Sequence, residues 1–132
     1  MNTPLGRQFL AFGLVGTGGF VVDTATLHLA MAMGSGPYWG RVASYLVAAT
    51  FTWGMNRRYT FGAQASDRRL QEWSRFLLAN GLGGLLNYGC FALLVSQSVF
   101  VLRHPVLGVA AGSIVGLGTN FVLSRRLVFG AG

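Results

Sequence analysis

Four long stretches almost free of charge, with arginines gathered near their ends, constrain this chain more than any other feature. Crossing a bilayer takes roughly 20 apolar residues, with a range of about 17–25. The first stretch runs from about Phe9 to Met33, interrupted by Asp23 and His28, and the second from Pro37 to Met55, with Arg41 near its start. The third, 76–102, and the fourth, 106–123, carry no charge. Apolar residues make up 52% of the chain and charged residues 10%, where soluble proteins carry about 25% charged. The pattern predicts an all-α integral membrane protein of four transmembrane helices, forming one domain over 1–132. The first stretch is too long for the apolar core of a cleaved signal peptide, and no small-residue cleavage site follows it. All four spans are therefore expected to stay.

A net charge of +7 would ordinarily suggest nucleic acid. All ten basic residues are Arg, however, and they lie at the ends of the apolar stretches rather than along one face. They mark membrane edges, and no nucleic-acid partner is expected. With helices alternating, one side receives Arg7, Arg57, Arg58, Arg68, Arg69, Arg75, Arg125 and Arg126, the other only Arg41 and Arg103. The richer side is cytoplasmic by the positive-inside rule, so both termini are cytoplasmic. Dual topology would need a near-even balance. Tyr38 and Trp39 fall at the outer edge, and Trp53, Tyr59 and Trp73 at the inner one, as interfacial aromatics do. The linker 57–75 is the one sizeable loop. Its Ser66-Asp67 pair, followed by Leu70, Trp73 and Leu77 at helical spacing, predicts a short interfacial helix before the third span.

The chain also repeats itself. A shift of 64 places Phe12, Gly16, Gly19 and Asp23 on Phe76, Asn80, Gly83 and Asn87. A shift of 68 places Asn56-Arg57-Arg58-Tyr59-Thr60-Phe61 on Ser124-Arg125-Arg126-Leu127-Val128-Phe129. Each unit is a helical hairpin ending in a basic-aromatic stop. Both copies would enter from the cytoplasm, so the repeat is expected to be parallel, with its axis along the membrane normal. Small residues recur every four positions at Gly40, Ser44, Ala48 and Thr52, and again at Gly108, Gly112 and Gly116 before Asn120. Such faces let helix backbones approach closely where lipid removes the hydrophobic drive to associate.

Polar residues on these faces are the candidate binding groups. An intramembrane carboxyl costs roughly 2.5–3.5 kcal/mol, which makes Asp23 a functional candidate; its plain structural reading is a buried acid held by a neighbouring Asn or Ser. Asn87 lies roughly 16 Å beyond Phe76, near the midplane. Asn80, Asn120 and Asn56 step back toward the cytoplasm, so that the five form a polar ladder. Arg57, Arg58, Arg125 and Arg126 flank the spans, where they bind lipid headgroups and fix topology. The repeat also allows them to converge on one phosphate by bidentate contacts. His28 reads as interfacial. The lone Cys90 supports neither a disulfide nor a metal site. No phosphate loop, metal-ligand cluster or catalytic triad is present, so no enzyme, metal or cofactor is expected.

The opening from Arg7 to the Gly-Phe-Val-Val-Asp ending at Asp23, the Asn56–Phe61 stop, the stretch from Arg75-Phe76-Leu77-Leu78 to Asn87, and the Asn120–Phe129 end together resemble the GtrA-like family. These are small four-span proteins associated with bacterial cell-surface polysaccharide synthesis. The resemblance covers about Arg7 to Phe129. Thr52 stands where the other copy has Asn120, and Ser124 where the first copy has Asn56, which leaves open whether the halves play equal roles. The resemblance implies a bacterial cytoplasmic-membrane protein that flips a polyprenyl-phosphate-linked sugar made by a membrane glycosyltransferase. The alternative is a non-transporting anchor or partner for that transferase. A small proton-coupled cation exporter is the third reading. Lipids surround the spans in every case. Four short helices enclose little volume, which a homodimer would enlarge, though no residue marks such a contact.

Reporters fused after Gly132 and within 64–66 should read cytoplasmic, and one within 34–37 external. A mixed signal at any one site would contradict a single orientation.

Overall fold

The structure, a computed structural model, describes residues 4–130, apart from the side chains of Pro37, Tyr38, Ala63, Pro105, Val106 and Val109. Tyr38, expected at the outer membrane edge, therefore lies outside the described residues. Among the described residues every regular element is helical: α1 (Leu5–Ala32), α2 (Pro37–Met55), α3 (Arg69–Gln97), α4 (Val99–Arg103) and α5 (Pro105–Leu123). Proline opens both α2 and α5, where its missing N–H would have had no partner in the helix. Gly34 turns the chain between α1 and α2 at φ +100, a conformation that glycine adopts without a Cβ penalty.

Two departures from the sequence pattern concern α3. It is one continuous helix of 29 residues from Arg69, so no separate interfacial helix precedes the span. It also stops at Gln97, inside the stretch expected to run to 102. Ser98 is extended there, and its Oγ accepts the Val101 N–H at 3.2 Å, starting the short α4.

Two helices, α1 and α3, are long and apolar enough to cross a membrane, yet only 11% of the most apolar window of each is buried. The central helix of a soluble protein would be mostly covered. Here Leu14, Phe20, Leu78, Leu85 and Ile114 all face outward, an apolar exterior suited to lipid. The chain is an all-helical membrane protein.

The chain divides into two compact units, Met1–Trp73 and Ser74–Gly132. The first holds the α1–α2 hairpin and the second the α3–α5 hairpin, and the sequence repeat reappears in their burial. Gln8, Phe12, Val15 and Gly19 are buried on α1; Glu72, Phe76, Ala79 and Gly83 are buried on α3, each 64 residues later. Gly40, Ser44 and Ala48 of α2 match buried Gly108, Gly112 and Gly116 of α5 at a shift of 68. Both second helices pass directly into a π-helical turn, Asn56–Thr60 and Ser124–Val128. Each turn is closed by an N–H five residues on: Phe61 to the Asn56 carbonyl at 2.8 Å, and Phe129 to the Ser124 carbonyl at 2.9 Å.

Glycine sets the closeness within each hairpin. A Cβ on Gly19 would collide with Thr52 Cγ2, and one on Gly83 with the Asn120 amide; these pairs are equivalent under the repeat. A Cβ on Gly112 would stand 2.5 Å from the Asn87 carbonyl oxygen, and one on Gly116 3.2 Å from that of Gly83. Backbone thus meets backbone, and dispersion contacts replace the hydrophobic drive that lipid removes. Gly16, read as part of the same face, is exposed with nothing within 4 Å of its Cβ position. One glycine of the α1 pattern therefore does not pack.

Gly83→Ala and Gly112→Ala should each destabilise the fold by about 1–3 kcal/mol, the usual cost of overpacking. Gly16→Ala and Gly89→Ala, both with open space around them, should not. Unfolding by SDS titration in mild detergent reads the difference, and an equal response at all four sites would contradict the close approach.

Candidate functional site

Buried and paired charges organise the site. Glu72, in the first turn of α3, has a side chain with 0% exposure. Its Oε1 accepts from Arg57 Nη1 at 2.6 Å and from Trp53 Nε1 at 3.1 Å, and its Oε2 accepts the Ser66 N–H at 2.6 Å. Arg57 Nη1 also donates to the Ser66 carbonyl at 2.8 Å. The linker is thereby tied to the π-turn, and both oxygens of a buried carboxylate are satisfied, as burial of an ion requires. Arg57, a candidate phosphate ligand from sequence, is only 19% exposed and spent on this network. Trp53 and Trp73, read as inner-edge anchors, both donate to side chains of the protein, Trp73 Nε1 to the exposed Thr50 Oγ1 at 3.0 Å.

Asp23 also has a partner, and it is neither Asn nor Ser. Arg41 Nη1 lies 2.9 Å from Asp23 Oδ1, so the intramembrane acid belongs to an ion pair inside the α1–α2 hairpin. This lowers the cost of burying it.

The asparagines act mainly through their shape. Asn56 is buried in its π-turn, with Oδ1 accepting from Thr60 Oγ1 at 2.7 Å. Asn120 on α5 fills the gap at Gly83, and its Oδ1 is buried with no partner among the described residues. Asn87 on α3 answers it, filling the gap at Gly112 and Gly116. It also lines a cleft of about 310 Å³ with Tyr88, Phe91 and Ser113. Asn80 is half-buried on α3. The Asn87 and Asn120 side chains interlock with glycines across the α3–α5 hairpin.

The remaining arginines differ from Arg57. Arg58 is exposed, its guanidinium 5.4 Å from the Tyr59 ring centroid. Arg125 is half-buried in the second π-turn. Arg126 is exposed and meets Arg75 of α3 at one groove of about 580 Å³. Leu78 and Leu82 of α3 and Leu123 and Leu127 of the α5 arm form its walls. Leu82 lies two turns beyond Arg75, roughly 10 Å along the helix, so the groove has a cationic mouth and an apolar length. No described carboxylate pairs with either arginine. Volume and lining fall within the range of small-ligand sites. The geometry suits an anion carrying an apolar tail.

Arg75 and Glu72 were not candidates from sequence. Arg75 counted toward orientation and toward the family resemblance but not as a ligand, although Arg75, Leu78 and Leu82 share a helical stripe. Glu72 stood in a basic linker, yet the 64-residue shift carried one turn upstream sets Gln8 on Glu72, and both are buried. Elsewhere, His28 and His104 each donate Nδ1–H to the carbonyl four residues earlier. No group of three or more metal-ligating residues occurs among the described residues.

Comparison with known families settles the affiliation. The family described as GtrA/DPMS, transmembrane domain, matches residues 11–129. The chain belongs to this family. No curated protein matches it. Family membership places the chain among membrane domains of polyprenyl-linked sugar pathways, which are typically non-catalytic.

Glu72→Ala leaves Arg57 unpaired in a mostly buried position and should destabilise the protein by about 3–5 kcal/mol. Pairing it with Arg57→Gln should recover part of that loss. Additive losses in the same SDS unfolding assay would show that the two residues do not act as a pair.

Proposed function

We propose that the protein carries a polyprenyl-phosphate-linked sugar across the bacterial cytoplasmic membrane, and that the lipid phosphate enters at Arg75 and Arg126. The observation that carries this reading is the groove itself: two guanidinium groups with no carboxylate partner among the described residues stand at the mouth of an apolar trough. Guanidinium groups bind phosphate oxygens bidentately, and the leucines accept the first isoprene units. Membership of a family tied to polyprenyl-linked sugars supplies the class of cargo.

The topology in this reading has four spans, with both termini cytoplasmic. At about 1.5 Å per residue, the 19 residues of α2 or of α5 reach close to the ~30 Å of a hydrocarbon core. The groove then opens at the cytoplasmic surface, where a membrane glycosyltransferase would deliver its product. The chain supplies passage, and no catalytic role is assigned to it. Pairing of Asp23 with Arg41 weighs against a cation exporter, since the acid already has a counterion.

Arg75→Gln and Arg126→Gln should each weaken binding of a short-chain polyprenyl-phosphate sugar in nanodiscs by about tenfold or more. Hydrogen bonds to charged groups contribute about 1.5–3 kcal/mol, and about 1.4 kcal/mol is tenfold. Arg68→Gln should leave binding unchanged. A correctly inserted double variant that binds as the parent does would remove the groove from this reading. One that loses transport but still recruits the transferase separates passage from anchoring.

A further inference from the structure

The two ion pairs of the α1–α2 unit are built differently, and the difference points to a use for one of them. Arg57 and Glu72 form a closed network, with the acid fully covered and both its oxygens engaged. Arg41 and Asp23 form an open pair. Arg41 keeps 56% of its side chain exposed and Asp23 24%. One nitrogen, Nη1, makes all of the Arg41 side-chain contacts: Asp23 Oδ1 at 2.9 Å and a long 3.5 Å approach to Ser44 Oγ. Nε and Nη2, the edge that forks onto two oxygens, have no partner among the described residues.

We propose that Arg41 is a second phosphate-binding site, reached from the outer side of the membrane, and that Asp23 holds it in reserve. This rests on the reading above, in which an anionic lipid crosses and the α1–α2 turn lies outside. Arg41 is the fifth residue of α2, roughly 6 Å from the helix start, so its side chain lies near the α1–α2 turn. A carboxylate and a phosphate oxyanion compete for one guanidinium. Asp23 keeps the cation oriented and neutral while the site is empty. When a phosphate takes the free edge of Arg41, the retained carboxylate repels it and keeps the site weak, so that the anion leaves readily. Such a site favours release over storage, which suits an exit.

The repeat isolates this chemistry to one unit. The register sets Asn87 where the first unit has Asp23, and Val109 where it has Arg41. Asn is therefore a residue that the equivalent hairpin position already accommodates, which makes Asp23→Asn a conservative test.

The test uses the full chain in nanodiscs of zwitterionic phosphatidylcholine, titrated with dodecyl phosphate and, separately, inorganic phosphate. The reporters are the Gly40 and Ser44 backbone amide resonances in a 15N spectrum, which the parent and every variant retain. Saturable movement of those resonances is expected. Arg41→Gln should abolish the binding event, and Asp23→Asn should tighten it about two- to fivefold, the scale of removing one exposed charge. If Arg41→Gln fails to insert, Arg41→Lys keeps the charge without the fork and should bind more weakly than the parent. Response to dodecyl phosphate alone assigns the site to a lipid headgroup, and an equal response to inorganic phosphate assigns it to the free ion; both support an anion site. No saturable shift, or an Asp23→Asn variant that binds more weakly than the parent, would show that the pair is only a structural clasp and overturn the proposal. Repeating the titration in the Arg75→Gln/Arg126→Gln background silences the inner groove, so failure of that groove and failure of this site are read separately.

Discussion

Close backbone approach between the two helices of each hairpin is the constraint on which the rest of the structure depends. In lipid, a helix gains little by hiding apolar side chains, because its surroundings are as apolar as its partner. Contact has to come from dispersion and fit, which small residues allow and large ones block. Gly83 and Gly112 have no room for a Cβ against their partner helix, and Gly116 has little. That fixes the register of α3 against α5, which in turn sets Asn120 and Asn87 into the glycine gaps and brings Arg75 beside Arg126. The same register in the first unit, through Gly19 and Thr52, sets Asp23 within reach of Arg41.

In the proposed reading, phosphate binding draws on what the two copies share and on where they differ. The shared buried positions and π-turns are structural, and the shared arginine pairs supply Arg126 to the groove. Position 75 is Arg where the first unit has Ala11, and position 127 is Leu where the first unit has Tyr59. The second unit alone therefore offers a paired cationic mouth with aliphatic walls. The first unit alone carries Asp23 and Arg41, together with the Arg57 tied to Glu72. A duplicated hairpin has thus been given two electrostatic characters, one open to an anion and one mostly compensated.

Much of this was legible in the sequence, because it depends on periodicity. Helix spacing exposes the small-residue faces at Gly40, Ser44 and Ala48 and at Gly108, Gly112 and Gly116, and the 64- and 68-residue shifts expose the repeat. The partners of the charges were not legible. Arg57 and Glu72 lie 15 residues apart across a linker, and Asp23 and Arg41 lie 18 apart across a turn; neither pair lies within one helix, so helical spacing does not connect the partners. The π-turns have no composition of their own, since the same residues would continue an α-helix. The asparagines were legible as a regular series, but their packing was not: Asn87 and Asn120 fit against glycines on the facing helix. Arg75 was hidden by its company, one arginine among several in a basic linker.

Movement of the lipid is the claim that matters most, and it is tested most directly with the protein alone. A fluorescent polyprenyl-phosphate sugar in liposomes is exposed to a membrane-impermeant quencher, with and without the reconstituted chain. Passage through this chain predicts that quenching rises from the outer-leaflet share to nearly all of the label, and that it does so without a transferase present. Quenching that stays at the outer-leaflet share, while the labelled lipid still binds, would contradict transport and leave a protein that holds the lipid without moving it.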